Sequence, residues 1–166
     1  MRTFLLRIAA LAFLALTPAL IQAGEVVKAT LTITKFRPLA VATTTSYVDA
    51  DVAMTPHPTV RLVTRESMPT FVCKTATDFE ITIASSDGRA YRPLSVSFQQ
   101  LGSPTTAAKD PSGENTFASR AVSGNTVNFH CRATRNDSFE FFIVVQEVAT
   151  GNIGLIDPLV EIEIDE

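Results

Sequence analysis

Residues 139–145 read FEFFIVV, a run that is apolar at both odd-numbered and even-numbered positions. In an extended strand successive side chains point to opposite faces, so the odd-numbered residues share one face while Phe142 and Val144 share the other. A strand with one solvated face should instead alternate between apolar and polar residues. This stretch therefore predicts a strand whose odd-numbered side chains fill a core and whose even-numbered side chains need a cover.

Two kinds of cover are compatible with the face that carries Phe142 and Val144. Another strand or the long polar loop at residues 103–113 would bury these side chains within the chain. A partner protein or a further copy would bury them by association, because an uncovered apolar cluster invites contact. Phe142 and Val144 are therefore the candidate interface residues.

The rest of the chain shows the same preference for extended structure. Twenty-one threonines and eleven phenylalanines favour strands, and helix signals are almost absent. Apolar residues alternate with polar ones in six more segments, at residues 27–34, 48–52, 79–83, 94–98, 127–131 and 160–164. The pattern predicts an all-β fold: an antiparallel β-sandwich of immunoglobulin-like architecture with roughly eight to ten strands.

The Asp-Gly dipeptide at positions 87–88 predicts a two-residue hairpin turn. The hairpin would place Ile81 opposite Leu94 and Phe79 opposite Val96, with all four side chains on one face.

A second hairpin is expected at residues 135–138. A three-residue or five-residue loop would place Cys131 opposite Phe141, and a four-residue loop would place it opposite Phe142. The first pairing is preferred because it gathers more apolar bulk on the cysteine face.

Cys73 and Cys131 are the two cysteines of the chain, 58 positions apart. In an oxidising compartment they are expected to form one inter-strand disulfide across the core, worth about 4 kcal/mol by loop entropy. The alternative is a pair of buried, reduced thiols. The spacing is similar to that of an immunoglobulin-type domain, although the chain has no tryptophan and has Phe129, not tyrosine, two positions before Cys131. The likeness extends to architecture and not to family membership.

Residues 1–23 are expected to be a signal peptide. Arg2 and Arg7 form a basic start, residues 8–16 are an unbroken apolar run, and Ala23 is a small residue at the cleavage position. The run is shorter than the roughly twenty residues that a spanning helix needs, so no membrane span is expected after cleavage. Cleavage would leave residues 24–166 as a single domain, secreted or periplasmic, with a net charge of −5. That charge does not favour nucleic acid as a partner.

No motif for catalysis or for metal binding stands out. His57 and His130 are the only histidines, and neither belongs to a zinc-type spacing or accompanies a G-x-S-x-G elbow. Asp49 and Asp51, with the acidic C-terminus, could offer oxygens to calcium, but outward acids that guard a strand edge explain them better. Asn136 begins a glycosylation sequon. No catalytic residue, metal or cofactor is therefore predicted.

These observations favour an exported, non-enzymatic binding or assembly domain that acts through its surface, with a protein partner or self-association. The alternative is a secreted hydrolase or other enzyme with a loop-built site that is not visible in the sequence.

Overall fold

The computed structural model describes residues 26–39, 47–102 and 110–164, which form eleven β-strands and no helix. The predicted signal peptide at residues 1–23 lies outside the described residues. The all-β prediction is confirmed, although there are more strands than expected. The strands are β1 (Val27–Lys35), β2 (Asp49–Met54), β3 (Val60–Arg65), β4 (Met68–Cys73), β5 (Thr77–Ser85), β6 (Tyr91–Gln100), β7 (Phe117–Ser123), β8 (Thr126–Cys131), β9 (Asp137–Glu147), β10 (Ile153–Ile156) and β11 (Leu159–Ile162).

The strands form two sheets. Sheet A has five strands in the order β2-β1-β5-β8-β7. Sheet B has six strands: β9 pairs with β6 along one edge and with both β10 and β11 along the other, and β4 and β3 follow β11. One apolar core contains side chains of both sheets.

The prediction of purely antiparallel pairing is wrong, because both sheets are mixed. In sheet A, β1 runs parallel to β5, and in sheet B, β11 runs parallel to β4. The alternating pattern of a strand fixes which side chains face the core but says nothing about the direction of its neighbour. An immunoglobulin-like architecture is not confirmed by this strand order.

The predicted hairpin at positions 87–88 is also wrong. β5 already pairs with β1 and β8, so neither of its edges is left for β6, which pairs with β9 in the other sheet. Residues 86–90 instead cross from sheet A to sheet B. The Asp87 carboxylate holds this crossing by accepting hydrogen bonds from Ser85 Oγ at 2.7 Å, the Arg89 amide at 3.0 Å and the Tyr91 hydroxyl at 2.6 Å.

The predicted hairpin at residues 135–138 fails for the same reason. β8 lies in sheet A between β5 and β7, whereas β9 lies in sheet B. Cys131 is therefore opposite Thr77 on one side and Phe117 on the other, and it does not pair with Phe141. The chain crosses between the sheets after β8, with Ala133 at a positive φ of 46°.

The inward face of β9 is as predicted, because Phe141, Ile143 and Val145 are fully buried. They join a cluster of phenylalanine rings that spans both sheets. Within the cluster the ring centroids lie 3.8 Å apart for Phe98–Phe117, 4.6 Å for Phe79–Phe129, 5.0 Å for Phe117–Phe139 and 6.0 Å for Phe71–Phe141. Stacked and edge-to-face pairs of this kind add to the free energy gained from burial.

β10 and β11 act as one interrupted strand against β9. Ile156 lies opposite Ile143 and Leu159 lies opposite Glu140, so the register is the same on both sides of the break. The break is at Asp157 and Pro158. The Pro158 carbonyl still accepts a hydrogen bond from the Phe141 amide at 3.0 Å, although proline has no amide hydrogen to donate.

The β3–β4 hairpin has a strained turn. Arg65 pairs with Met68, which leaves Glu66 and Ser67 as a two-residue turn with φ of 48° and 72°. Such a turn normally takes Asn-Gly, because other residues in the left-handed region place Cβ too close to the backbone. This hairpin lacks the usual sequence signal, so the sequence pattern does not predict it.

Replacing Glu66 by Asn and Ser67 by Gly should relieve this strain. We expect the double variant to raise the free energy of unfolding by about 1 kcal/mol, measured by urea denaturation. Ser97→Gly on the exposed face of β6 is the matched control and should lower the unfolding free energy, since glycine weakens a strand. If the double variant is no more stable than the parent chain, the turn at Glu66 and Ser67 is not strained.

Candidate association surface

The outer face of sheet B carries apolar side chains at its centre. Phe142 and Val144 alternate with the buried residues of β9 and are themselves partly buried. Val144 lies opposite Leu155 of β10. On the other side, β6 places Ser95 opposite Val144 and Ser97 opposite Phe142. Directly opposed residues share a face, and serine is too short to cover a phenylalanine ring. We call Phe142, Val144 and Leu155, with Asp157, the outer patch.

Asp157 brings a titratable group to the outer patch. It continues the register of β10 at the position opposite Phe142. Burial and, second, the charge of Glu140 raise the pKa of Asp157 to about 6, against the lowering effect of a hydrogen bond with Tyr47. Its Oδ1 atom is buried and has no hydrogen-bond partner among the described residues. The outer patch is therefore close to neutral in mild acid and gains a negative charge above that pKa.

On the part of the outer face of sheet B formed by β3 and β4, charged side chains cover an apolar one. Arg61 contacts Glu163 at 2.6 Å and Arg65 contacts Glu161 at 3.2 Å, and both pairs reach from β3 across β4. Val72 of β4 lies between Arg61 and Glu161 in the register and is fully buried although it is on this outer face. The aliphatic stems of arginines can cover apolar surface in this way.

The two cysteines face each other from opposite sheets. Cys73 ends β4 in sheet B and Cys131 ends β8 in sheet A, and both are fully buried. The pair is separated by 4.3 Å and is not bonded, so the predicted disulfide is not confirmed. A hydrogen bond to Cys131, together with burial, raises the pKa of the Cys73 thiol. A buried thiol with a raised pKa is a poor nucleophile while it stays in the core.

The two histidines take part in local contacts. His130 Nδ1 lies 2.8 Å from a carboxylate oxygen of Asp78, its cross-strand neighbour on the outer face of sheet A. The His57 ring accepts a hydrogen bond from the Thr59 amide at 3.3 Å in the link between β2 and β3. Within residues 26–39, 47–102 and 110–164, no three His, Cys, Asp or Glu side chains are grouped to hold a metal ion.

The acidic residues noted in the sequence are separated by the fold. Asp49 and Asp51 are exposed on edge strand β2, where Asp49 contacts Arg37 at 2.8 Å. The C-terminal acids Glu161 and Glu163 contact the arginines of β3, in the other sheet.

The side-chain oxygen of Asn136, the sequon residue, accepts a hydrogen bond from the Ile164 amide at 2.6 Å.

Leu155 of the outer patch, and Tyr47, which hydrogen-bonds to Asp157, were not identified from the sequence, and Asp157 was placed only among the C-terminal acids. Asp157-Pro158 looks like a turn that ends a strand, which hid the continuity of β10 and β11. The signal was present: Gly154, Ile156, Pro158, Val160 and Ile162 are all buried, an unbroken period of two that runs through the proline.

No protein-family model matches the chain, and no curated protein matches it. A matching solved structure is that of the inclusion body protein PixA from Burkholderia cenocepacia, at 10% sequence identity and a TM-score of 0.56. The match covers 86% of this chain and 98% of that chain. At this identity the likeness concerns the fold alone. In the part of the chain that the structure describes, no helix is long and apolar enough to cross a membrane.

Replacing Asp157 by Asn should change how stability depends on pH. Because the pKa of Asp157 is raised to about 6, the folded chain binds a proton at a pH where the unfolded chain does not. The charged carboxylate therefore destabilises the folded chain at pH 7, and this cost disappears as the pH falls to about 4 and the group binds a proton. Asparagine is neutral at every pH, so Asp157→Asn removes this dependence. We expect urea denaturation to show a gain in unfolding free energy for the variant that is larger at pH 7.5 than at pH 4.5. A gain that is equal at both values would contradict the raised pKa.

Proposed function

We propose that this chain is an exported, non-enzymatic domain that assembles with further copies of itself through the outer patch. The observation that carries the proposal is the outward face of β9, where Phe142 and Val144 stand beside Ser95 and Ser97. A protein that works alone would place polar residues at the centre of a solvated sheet face. Here the neighbours on β6 are short, and Phe142 and Val144 remain only partly buried.

The energy available from this surface suits a reversible contact. Burying Phe142 and Val144 from full exposure is worth on the order of 3–5 kcal/mol by area, and a second copy would supply the part that their partial burial within the chain leaves. That is enough to contribute to an interface, although a stable complex needs more buried surface. In a two-fold arrangement the same patch is used on both copies, so each contact is made twice. Asp157 adds a charge to this patch above its pKa, which favours assembly in mild acid.

Two further considerations support an assembly role. A protein of similar fold, at 10% sequence identity, is described as an inclusion body protein, which is compatible with self-assembly. The expected charge of the mature chain, −5, does not favour binding to nucleic acid.

Phe142→Ser tests the proposed role of the outer patch. We expect the variant to self-associate more weakly than the parent chain by about tenfold or more in Kd, measured by sedimentation equilibrium. Its far-UV circular dichroism should be unchanged, because the side chain points away from the core.

Phe141→Ser is the matched control on the same strand. Phe141 is fully buried, so its loss should destabilise the fold by roughly 3–5 kcal/mol. If Phe142→Ser instead unfolds the chain as Phe141→Ser does, or leaves Kd unchanged, Phe142 is not an interface residue and the proposal is wrong.

Export and a Cys73–Cys131 disulfide complete the proposal. The cysteines come from facing sheets and lie 4.3 Å apart, so bond formation requires a rearrangement of the two side chains that brings their sulfurs to about 2 Å. The two thiols would lose two protons and two electrons to a disulfide oxidant of an oxidising compartment. The bond would join sheet A to sheet B at one end of the core.

One mass measurement on the exported protein checks both points. We expect an intact mass that corresponds to residues 24–166, lower by about 2 Da than the value for two free thiols. Reduction should restore those 2 Da and make both cysteines reactive after unfolding. A chain that keeps Met1 would refute export with cleavage, and two free thiols in the unreduced sample would refute the disulfide.

A further inference from the structure

The two lateral sides of the protein, where edge strands of the two sheets lie next to each other, are built differently. On one side β6 and β7 border a groove of about 230 Å³. Both strands are interrupted there, β6 by a register shift at Pro93/Ser95 and β7 by another at Ala118/Ala121. Arg120 lies in this groove with its guanidinium 4.9 Å from the centre of the Phe98 ring. Bulges, proline and an inward-pointing charge are the features that prevent an edge from pairing with another chain.

The opposite side is formed by β2 and β3, neither of which contains a proline or an inward-pointing charge. Its protection is the outward charge of its side chains, which repels a strand of like charge and not one of opposite charge. β3 keeps one register with β4 over all six of its residues, and β2 pairs regularly with β1 from Met54 to Ala50. The groove between the two strands is larger, about 390 Å³. Ala50 and Val52 of β2 and Leu62 of β3 line it, and they pack against the core while remaining only partly buried. The core is therefore open to a further strand along this side.

The charges on the two edges indicate which strand fits. Asp49 and Asp51 are exposed on β2, although Asp49 also contacts Arg37. Arg61 and Arg65 are on β3, where their side chains remain 55% and 47% exposed although they also contact glutamates. Pairing β2 with β2 would bring like charges together, and so would pairing β3 with β3. Pairing β2 of one copy with β3 of another places carboxylates beside guanidinium groups.

We propose that a second copy of this chain docks on the β2/β3 side, with β2 of each copy pairing with β3 of the other. A two-fold axis parallel to the strands produces both pairings at once and extends sheet A of each copy by sheet B of its partner. The contact supplies hydrogen-bond partners to two edges and closes both grooves. This surface is separate from the outer patch, so the inference stands independently of the proposed function. A protein with both contacts can extend beyond a dimer.

The test uses the Phe142→Ser chain, in which the contact through the outer patch is removed. Sedimentation equilibrium should still show a dimer. Adding Leu62→Lys, which places a charge in the open groove, should weaken that dimer by about tenfold or more in Kd. The matched control is Leu94→Lys, because Leu94 is 41% exposed and lines the groove on the protected side. It should leave Kd unchanged.

Asp51→Arg tests the arrangement of the strands and does not depend on Leu62→Lys folding, because Asp51 is exposed. If β2 of one copy pairs with β3 of the other, the new arginine at position 51 faces Arg61 and Arg65, and the variant homodimer is weaker than the parent dimer. Mixing the variant with the unsubstituted chain then gives a heterodimer of intermediate affinity, because only one of its two β2–β3 contacts carries the substitution. A heterodimer tighter than both homodimers would show that like edges meet, and would overturn the proposal. Two other results would also overturn the proposal. One is a Phe142→Ser chain that stays monomeric at every concentration, and the other is a dimer that Leu94→Lys weakens as much as Leu62→Lys does.

Discussion

Strand β9 is the constraint on which the rest of this structure depends. It hydrogen-bonds to β6 along one edge and to β10 and β11 along the other, so three strands of sheet B take their register from it. Its inward side chains join the phenylalanine cluster that holds sheet A against sheet B. Its inward face is buried in the core, whereas Phe142 and Val144 on its outward face are only partly buried within the chain. The outward face is therefore the one that we propose for association.

Two parts of the surface have their apolar side chains covered by other residues of the same chain. Beside the outer patch, the arginines of β3 contact glutamates and cover Val72. On the β6/β7 side, Arg120 lies over Phe98 and bulges interrupt both edges. The outer patch contains one carboxylate, Asp157, which is close to neutral in mild acid, and the β2/β3 side is guarded by outward charges alone. The two proposed contacts are at these less protected places.

Sequence periodicity could predict the faces of the strands but not their partners. The pattern of residues 139–145 correctly separated buried Phe141 from outward Phe142, since a period of two is a local property. Pairing depends on which edges are already occupied, so an Asp-Gly turn became a crossing between sheets. The β3–β4 hairpin was missed because it uses left-handed residues other than glycine. Asp157 was grouped with the acidic C-terminus, and its place opposite Phe142 was not predicted because it depends on which strand lies beside β9.

The central claim, that one face of β9 serves the core and the other serves association, can be tested by fluorine NMR. A 4-fluorophenylalanine placed at position 142 should shift its resonance as the protein concentration rises through the association range. The same label at position 141 should keep its resonance unchanged, because that ring is buried in every state. A resonance at position 142 that stays constant over the whole concentration range would contradict the account.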